Sequence, residues 1–299
     1  MMRQAGRYLP EYRALRQGEP NFVTFCQTPS LCAEATCQPL ARFDLDAAII
    51  FSDILTVPHA MGLDLRFDAG MGPVFASPCQ DARSIAALPV VDAEPLTYVM
   101  EAIRETKVAL ADRVPLIGFA GSPWTIACYM VEGQSSKLWP TIKTMLYREP
   151  ALLHQLLDKL TRTIIAYLNA QIEAGANAVM VFDTWGGVLA HQDYASFSLH
   201  YMQQIVSGIH REYDGRRIPC VLFTKHGGPW LEMMAGSGCD ALGIDCMTDL
   251  AAARERVGSR VALQGNLEPF HLFADPADIE ARVHEIMSVY QGDTGFQGD

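Results

Sequence analysis

No run of eighteen apolar residues occurs anywhere in the 299-residue chain, so no transmembrane helix is expected. A signal peptide is not expected either, because Arg3, Arg7 and Glu11 interrupt the apolar core it would need. Cysteine occurs eight times, at 26, 32, 37, 79, 128, 220, 239 and 246, without one C-x-x-C pair. That usage suits the reduced thiols of a cytosolic protein, most of them packed as small hydrophobes. Cys26, Cys32 and Cys37 are spaced wrongly for a zinc knuckle, and no histidine is followed two residues later by cysteine. No metal site is therefore expected. A Walker A sequence is missing. Gly236-Ser237-Gly238-Cys239-Asp240-Ala241 meets only the loose dinucleotide pattern, and it precedes a strand-like run instead of following one. Basic residues are scarce: 23 Lys and Arg stand against 34 Asp and Glu, for a formal charge of −11. This argues against nucleic acid as a partner. A polyanionic small molecule would need a locally positive pocket to overcome the overall field. Linkers of low complexity and internal repeats are also absent, so residues 1–299 read as one domain.

Apolar content is high, at 49%, enough for a large core. Short β-branched runs alternate with amphipathic stretches, the pattern of βα units. Strands are expected at Asp46–Phe51, Pro115–Phe119, Ala178–Phe182, Cys220–Phe223, Ala241–Ile244 and Val261–Leu263. Between them a long helix is expected over Ala151–Ala174, with Leu152, Leu156, Leu157, Leu160, Ile164 and Ile165 on one stripe. Polar or glycine-rich residues follow directly on five of these strands. Phe51 leads to Ser52-Asp53, Phe119 to Gly121-Ser122-Pro123-Trp124, and Phe182 to Asp183-Thr184-Trp185-Gly186-Gly187. Phe223 leads to Thr224-Lys225-His226-Gly227-Gly228, and Leu263 to Gln264-Gly265-Asn266. Chemistry repeated at many strand C-termini suits the mouth of a (β/α)₈ TIM barrel. A doubly wound sheet would gather it at one switch point.

Each candidate site has an ordinary alternative. Arg3 and Arg7 lie four positions apart in Met2-Arg3-Gln4-Ala5-Gly6-Arg7-Tyr8-Leu9-Pro10-Glu11, so they would point the same way from a helical backbone. Their planar forks suit carboxylates, and Gly6 between them allows close approach of the main chain. By itself the pair could be a solvated helix start. Asp53 is either a helix N-cap or a carboxylate at a barrel mouth. Tyr129, four residues after Thr125 on the same helical face, reads from its position as a buried structural tyrosine. Lys225 sits where barrel enzymes place a Schiff-base lysine. Beside it, His226 is either an acid–base group or a locally hydrogen-bonded loop residue.

The N-terminal decapeptide closely resembles the signature of the uroporphyrinogen decarboxylase family. The resemblance runs from Met1 to about Gly295, through Phe51-Ser52-Asp53-Ile54-Leu55, Tyr129-Met130-Val131-Glu132-Gly133, Phe182-Asp183-Thr184-Trp185-Gly186-Gly187 and Gln264-Gly265-Asn266-Leu267-Glu268-Pro269. Glu268 stands where the family usually has aspartate. The resemblance implies an α/β fold, one (β/α)₈ barrel, usually a homodimer with facing clefts. It implies cofactor-independent removal of the four acetate carboxylates of uroporphyrinogen to give coproporphyrinogen. It makes Asp53 and Arg3 catalytic, with Asp53 beneath the macrocycle accepting from pyrrole N–H groups. It makes Arg3, Gln4, Ala5, Gly6, Arg7, Asp53, Tyr129 and Thr184 substrate-binding. Met1-Met2 is the expected tail of a first strand. An eighth strand with its helix, and the Gly-His-Gly segment whose histidine touches substrate, are expected to be missing after Phe296. Two alternatives stay open here: a zinc- or cobalamin-linked methyltransferase of the same superfamily, and an inactive tetrapyrrole-binding homologue.

Overall fold

The computed structural model of the chain describes residues 6–19, 21–68 and 72–291. Ten strands lie among them: β1 (Ala48–Ile49), β2 (Leu65–Asp68), β3 (Gly72–Phe75), β4 (Leu116–Gly121), β5 (Ala178–Asp183), β6 (Glu212–Tyr213), β7 (Arg216–Arg217), β8 (Cys220–Thr224), β9 (Ala241–Gly243) and β10 (Ala262–Gln264). Six of them form one parallel sheet in the order β1-β4-β5-β8-β9-β10. These are the six expected strands. The sheet is the greater part of a (β/α)₈ barrel, its strands joined through helices and taken in chain order. Met1-Met2 and the chain after Phe296 lie outside the described residues.

The near-continuous apolar strands are explained by two separate packing layers, one on each face of the sheet. On the inner face Ile49, Ile117, Phe119, Met180, Phe182, Val221 and Phe223 form a compact cluster. On the outer face Ala48, Leu116, Ala120, Val179, Val181, Leu222 and Leu242 join the main core under the helices. Alternation with a period of two sends successive residues to opposite layers. Phe119, Phe182 and Phe223 meet edge to face across neighbouring strands, with ring centroids 5.8 and 6.2 Å apart. They close the barrel just below the strand C-termini.

The helix Pro150–Glu173 is the main outer support. Its stripe of Leu153, Leu156, Leu157, Leu160, Ile164, Leu168 and Ile172 is fully buried, each side chain contributing about 1.5–3 kcal/mol. Gln171 on the same helix accepts from Phe119 N at 2.9 Å and donates to Phe119 O at 3.0 Å. Gly118 makes room for it, since a Cβ there would lie 2.5 Å from Gln171 Oε1.

Two antiparallel hairpins, β2–β3 and β6–β7, fall outside the alternating βα reading. The second had a legible signal. Asp214 and Gly215 both take positive φ, 51° and 68°, as an Asp-Gly hairpin turn requires.

Candidate active site

Four chain segments bring the described site residues to the C-terminal end of the sheet. Gly6 is buried with φ +64°, and a Cβ there would lie 2.9 Å from Pro39 Cγ. This packing holds the turn whose Leu9 N donates to Gly6 O at 2.8 Å and fixes where Arg7 begins. The Arg7 guanidinium carbon lies 5.1 Å from the Phe22 ring centroid and 5.3 Å from that of Phe51. Such cation–π contacts orient the side chain while leaving its N–H donors open. Arg3, Gln4 and Ala5 lie outside the described residues.

Asp53 follows β1 by four residues and is half-buried. Its Oδ1 accepts from Leu55 N at 2.9 Å, and Thr56 Oγ1 donates to its backbone oxygen at 2.8 Å. The carboxylate therefore ties down the turn that precedes the helix Thr56–Ala60. Its Oδ2 has no hydrogen-bond partner among the described residues. Burial raises the Asp53 carboxyl above the ordinary aspartate range, against the opposing pull of the Leu55 N–H and the Arg7 charge. A carboxylate kept in an apolar setting with one oxygen uncommitted is poised to receive N–H donors from a bound molecule.

Tyr129 comes from the helix Pro123–Glu132. That helix is opened by Ser122, whose Oγ accepts from Thr125 N at 3.0 Å, and by Pro123 in the first turn. The Tyr129 ring lies 5.2 Å from that of Trp139 and 6.3 Å from that of Trp185, and the two indoles are 4.9 Å apart. Burial raises the phenol's pKa, the adjacent Trp185 indole opposes this, and the Asp53 charge adds to it. Tyr129, Asp53 and Arg7 thus share one electrostatic neighbourhood. Thr184 is half-buried directly beyond β5, at the same end of the sheet.

A second carboxylate, assigned no role in the sequence reading, organises the rim of this site. Asp183 ends β5 and is fully buried. Ser122 Oγ and Thr125 Oγ1 donate to its Oδ1 at 2.6 and 3.0 Å. Ser198 Oγ and Thr224 Oγ1 reach its Oδ2 at 2.7 and 3.2 Å. The Tyr194 and Thr224 hydroxyls are bonded in turn at 2.9 Å. Ser198 stands in a π-helical segment, Ala195–Leu199, between two α-helices. No salt bridge involves Asp183 among the described residues. Burial raises its pKa, and the four hydroxyls work against that shift. A Cβ on Gly186 would lie 1.8 Å from Asp183 Oδ2, so only glycine fits there.

The cage ties the ends of β4, β5 and β8 together and hands its order on to Trp185. Thr125 Oγ1 accepts from Trp185 N at 3.0 Å, and Trp124 Nε1 donates to Trp185 O at 2.9 Å. A third acid, Asp245 beyond β9, accepts from His226 N at 2.5 Å and Met247 N at 3.2 Å. Asn266 Nδ2 donates to Asp245 O at 3.0 Å and Thr248 O at 2.6 Å. His226 is exposed with φ +61°, so its backbone carries a structural bond in the loop. Ser, Thr and Asp at strand ends were the available signal for these networks, but four donors drawn from three segments converge only in three dimensions.

No group of three or more His, Cys, Asp or Glu side chains among the described residues is placed to hold a metal ion. All eight cysteines are free, and Cys246 alone among them is exposed. Burial raises the thiols, Cys79 to about 11 and Cys32 and Cys220 to about 12, which leaves them poor nucleophiles.

Comparison with known proteins gives a consistent result. The family described as "Uroporphyrinogen decarboxylase (URO-D)" matches residues 1–296. A uroporphyrinogen decarboxylase of Tolumonas auensis is 63% identical over 296 residues, covering 99% of this chain and 83% of that protein. One from Actinobacillus succinogenes is 57% identical, with 99% and 84% covered. Among solved structures, a methyltransferase from Methanosarcina mazei superposes with a TM-score of 0.76 at 23% identity, covering 92% of this chain and 81% of the other. At that identity the likeness concerns the fold alone.

Proposed function

The chain belongs to the uroporphyrinogen decarboxylase family, and we propose from that premise that it is a carboxy-lyase of tetrapyrrole biosynthesis. It converts the acetate arms of uroporphyrinogen III to methyl groups, giving coproporphyrinogen III. The observation that carries this reading is the family match across residues 1–296, with a half-buried Asp53 beside Arg7 at the barrel mouth. The methyltransferase alternative has only a shared fold behind it.

Decarboxylation leaves an electron pair that needs a sink. Protonating the electron-rich pyrrole at the α-carbon next to the carbon bearing the acetate makes a cationic ring whose charge is conjugated with the acetate's methylene. The C–CO₂ bond then breaks and its electrons neutralise the ring as an exocyclic methylene. That methylene takes up a proton to become methyl, and the ring carbon gives back the proton it gained, which restores the pyrrole. Asp53 stabilises the ring cation and accepts from the pyrrole N–H groups through its uncommitted oxygen. Arg7 holds carboxylate arms by charge-assisted hydrogen bonds. Tyr129 and Thr184 offer hydroxyls to the arms and ring edge. Arg3 binds an arm first and serves proton delivery second, since a guanidinium is too weak an acid to be a ready donor. Gln4, Ala5 and Gly6 complete the substrate-binding residues of this reading. The chemistry uses no cofactor.

We also infer one barrel domain over residues 1–299, a cytoplasmic setting and a homodimer. Exposed Phe270 and Phe273, with rings 6.0 Å apart, and the neighbouring exposed Leu272 support the last. The decisive experiment is turnover of uroporphyrinogen III with chelator present, followed by separation of porphyrins of eight to four carboxyl groups. Stepwise loss of four carboxylates is expected. An inert protein that still binds the tetrapyrrole would overturn the enzymatic reading, and sedimentation as a monomer at micromolar concentration would remove the dimer.

A further inference from the structure

Lys225 takes no part in the roles above, yet its position is strongly determined. Val221 and Phe223 of β8 face the barrel interior, and the alternation carries the next inward position, two residues on, to Lys225. Its backbone is held on three sides. Lys225 N donates to Asp183 O at 3.1 Å. Gly187 packs so tightly that a Cβ there would lie 2.2 Å from Lys225 O. The following residue, His226, is fixed through its N–H to Asp245 Oδ2 at 2.5 Å. From this locked loop the side chain is exposed and places Nζ 5.7 Å from the Trp185 ring centroid. No acidic side chain lies within ion-pair distance of Nζ among the described residues. Most lysines of an acidic protein have carboxylates to choose from, whereas this one rests on an indole, which steadies its stem without consuming its charge.

The sheet order puts Lys225 opposite the cation already assigned. β8 stands three places from β1 in β1-β4-β5-β8, so in an eight-stranded barrel Lys225 lies well around the mouth from Asp53 and Arg7. A macrocycle seated above Asp53, with carboxylates on every side, presents arms to both positions. We propose that Lys225 binds a substrate carboxylate on the side of the mouth away from Arg7, as a second electrostatic anchor that sets affinity for polycarboxylated rings. This rests on the decarboxylase reading.

The test compares wild type, Lys225→Met and Lys225→Arg in steady-state turnover of uroporphyrinogen III at low and high salt. Methionine keeps an unbranched stem on Trp185 and removes the charge. Arginine keeps a cation that can also stack on the indole. Lys225→Met should raise KM about tenfold, the scale of one charge-assisted hydrogen bond, while kcat falls less than threefold. Its KM should also depend less on salt, because one screened contact is gone. Lys225→Arg should recover most of the loss. A Lys225→Met KM within twofold of wild type, with unchanged salt dependence, overturns the proposal while leaving the enzyme assignment intact. Wild-type protein without turnover overturns both.

Discussion

Replacing Asp53 with asparagine separates catalytic from structural roles more cleanly than any other single change. Asparagine keeps an Oδ1 acceptor, so the 2.9 Å bond from Leu55 N survives and the turn before Thr56 should hold. What disappears is the charge. A carboxylate and a pyrrole cation about 4 Å apart, at an effective dielectric of about 20, interact by about 4 kcal/mol. That corresponds to roughly 10³ in rate, and the measured loss of one preorganised oxyanion donor sets a floor near 10². Stability should move the other way. Burial raises the Asp53 carboxyl above its ordinary value of 3.8, so the folded state binds its proton more tightly than the unfolded state. Ionised Asp53 therefore costs stability at pH 7, and the cost vanishes as pH falls through the raised folded pKa. The Asp53→Asn variant carries no such cost at any pH. The expected result is an enzyme at least 10²-fold slower in kcat, yet equally or more stable at pH 7, with wild type gaining on it as the solution is acidified. Wild-type activity should show an acid limb above pH 3.8. Porphyrin product assays and urea unfolding at two pH values measure these quantities. A variant within threefold of wild type in kcat, or one that loses more than about 2 kcal/mol at pH 7, a loss on the scale of a strong helix cap, would reduce Asp53 to a turn-forming residue.

Asp183→Ala removes the acceptor of four buried hydroxyls and should destabilise by about 3 kcal/mol, seen as a lower urea midpoint with unchanged slope; a loss under about 0.5 kcal/mol, the range of ordinary surface changes, would show that the hydroxyls simply re-pair. Gly186→Ala forces a Cβ to within 1.8 Å of Asp183 Oδ2 and should give insoluble or inactive protein, so normal yield and activity would mean that the loop relaxes freely. Arg7→Ala should raise KM more than it lowers kcat, since an arm held equally in ground and transition states sets mainly KM, and an unchanged KM would return Arg7 to a packing role on Phe22 and Phe51. Of the eight cysteines, Cys246 alone is exposed. Titration with a thiol reagent should therefore give one fast group in native protein, and several fast groups would contradict the packed core. Activity should survive EDTA and dialysis, and loss restored by zinc would favour the methyltransferase reading.

Much of this protein was determined locally, by side-chain period and strand-end chemistry. Alternation of apolar runs with amphipathic helices was enough to locate all six strands of the parallel sheet, because a strand buried on both faces must be apolar throughout. Asp53 could be marked as a candidate because a polar group just past such a strand falls at the barrel mouth, with a helix cap as its alternative, whereas Thr184 was singled out only by the resemblance to the family. The division of those strands into an inner layer around Phe119, Phe182 and Phe223 and an outer layer under the helices was decided by the fold, since a continuous apolar run carries no mark of which side faces in. So was the Asp183 cage, whose donors at 122 and 125, at 198 and at 224 come from three segments that only the tertiary fold makes adjacent. Lys225 shows the same division: its chemistry is written in the chain, but its freedom from any acidic partner among the described residues and its seat on Trp185 exist only once β5 and β8 lie side by side.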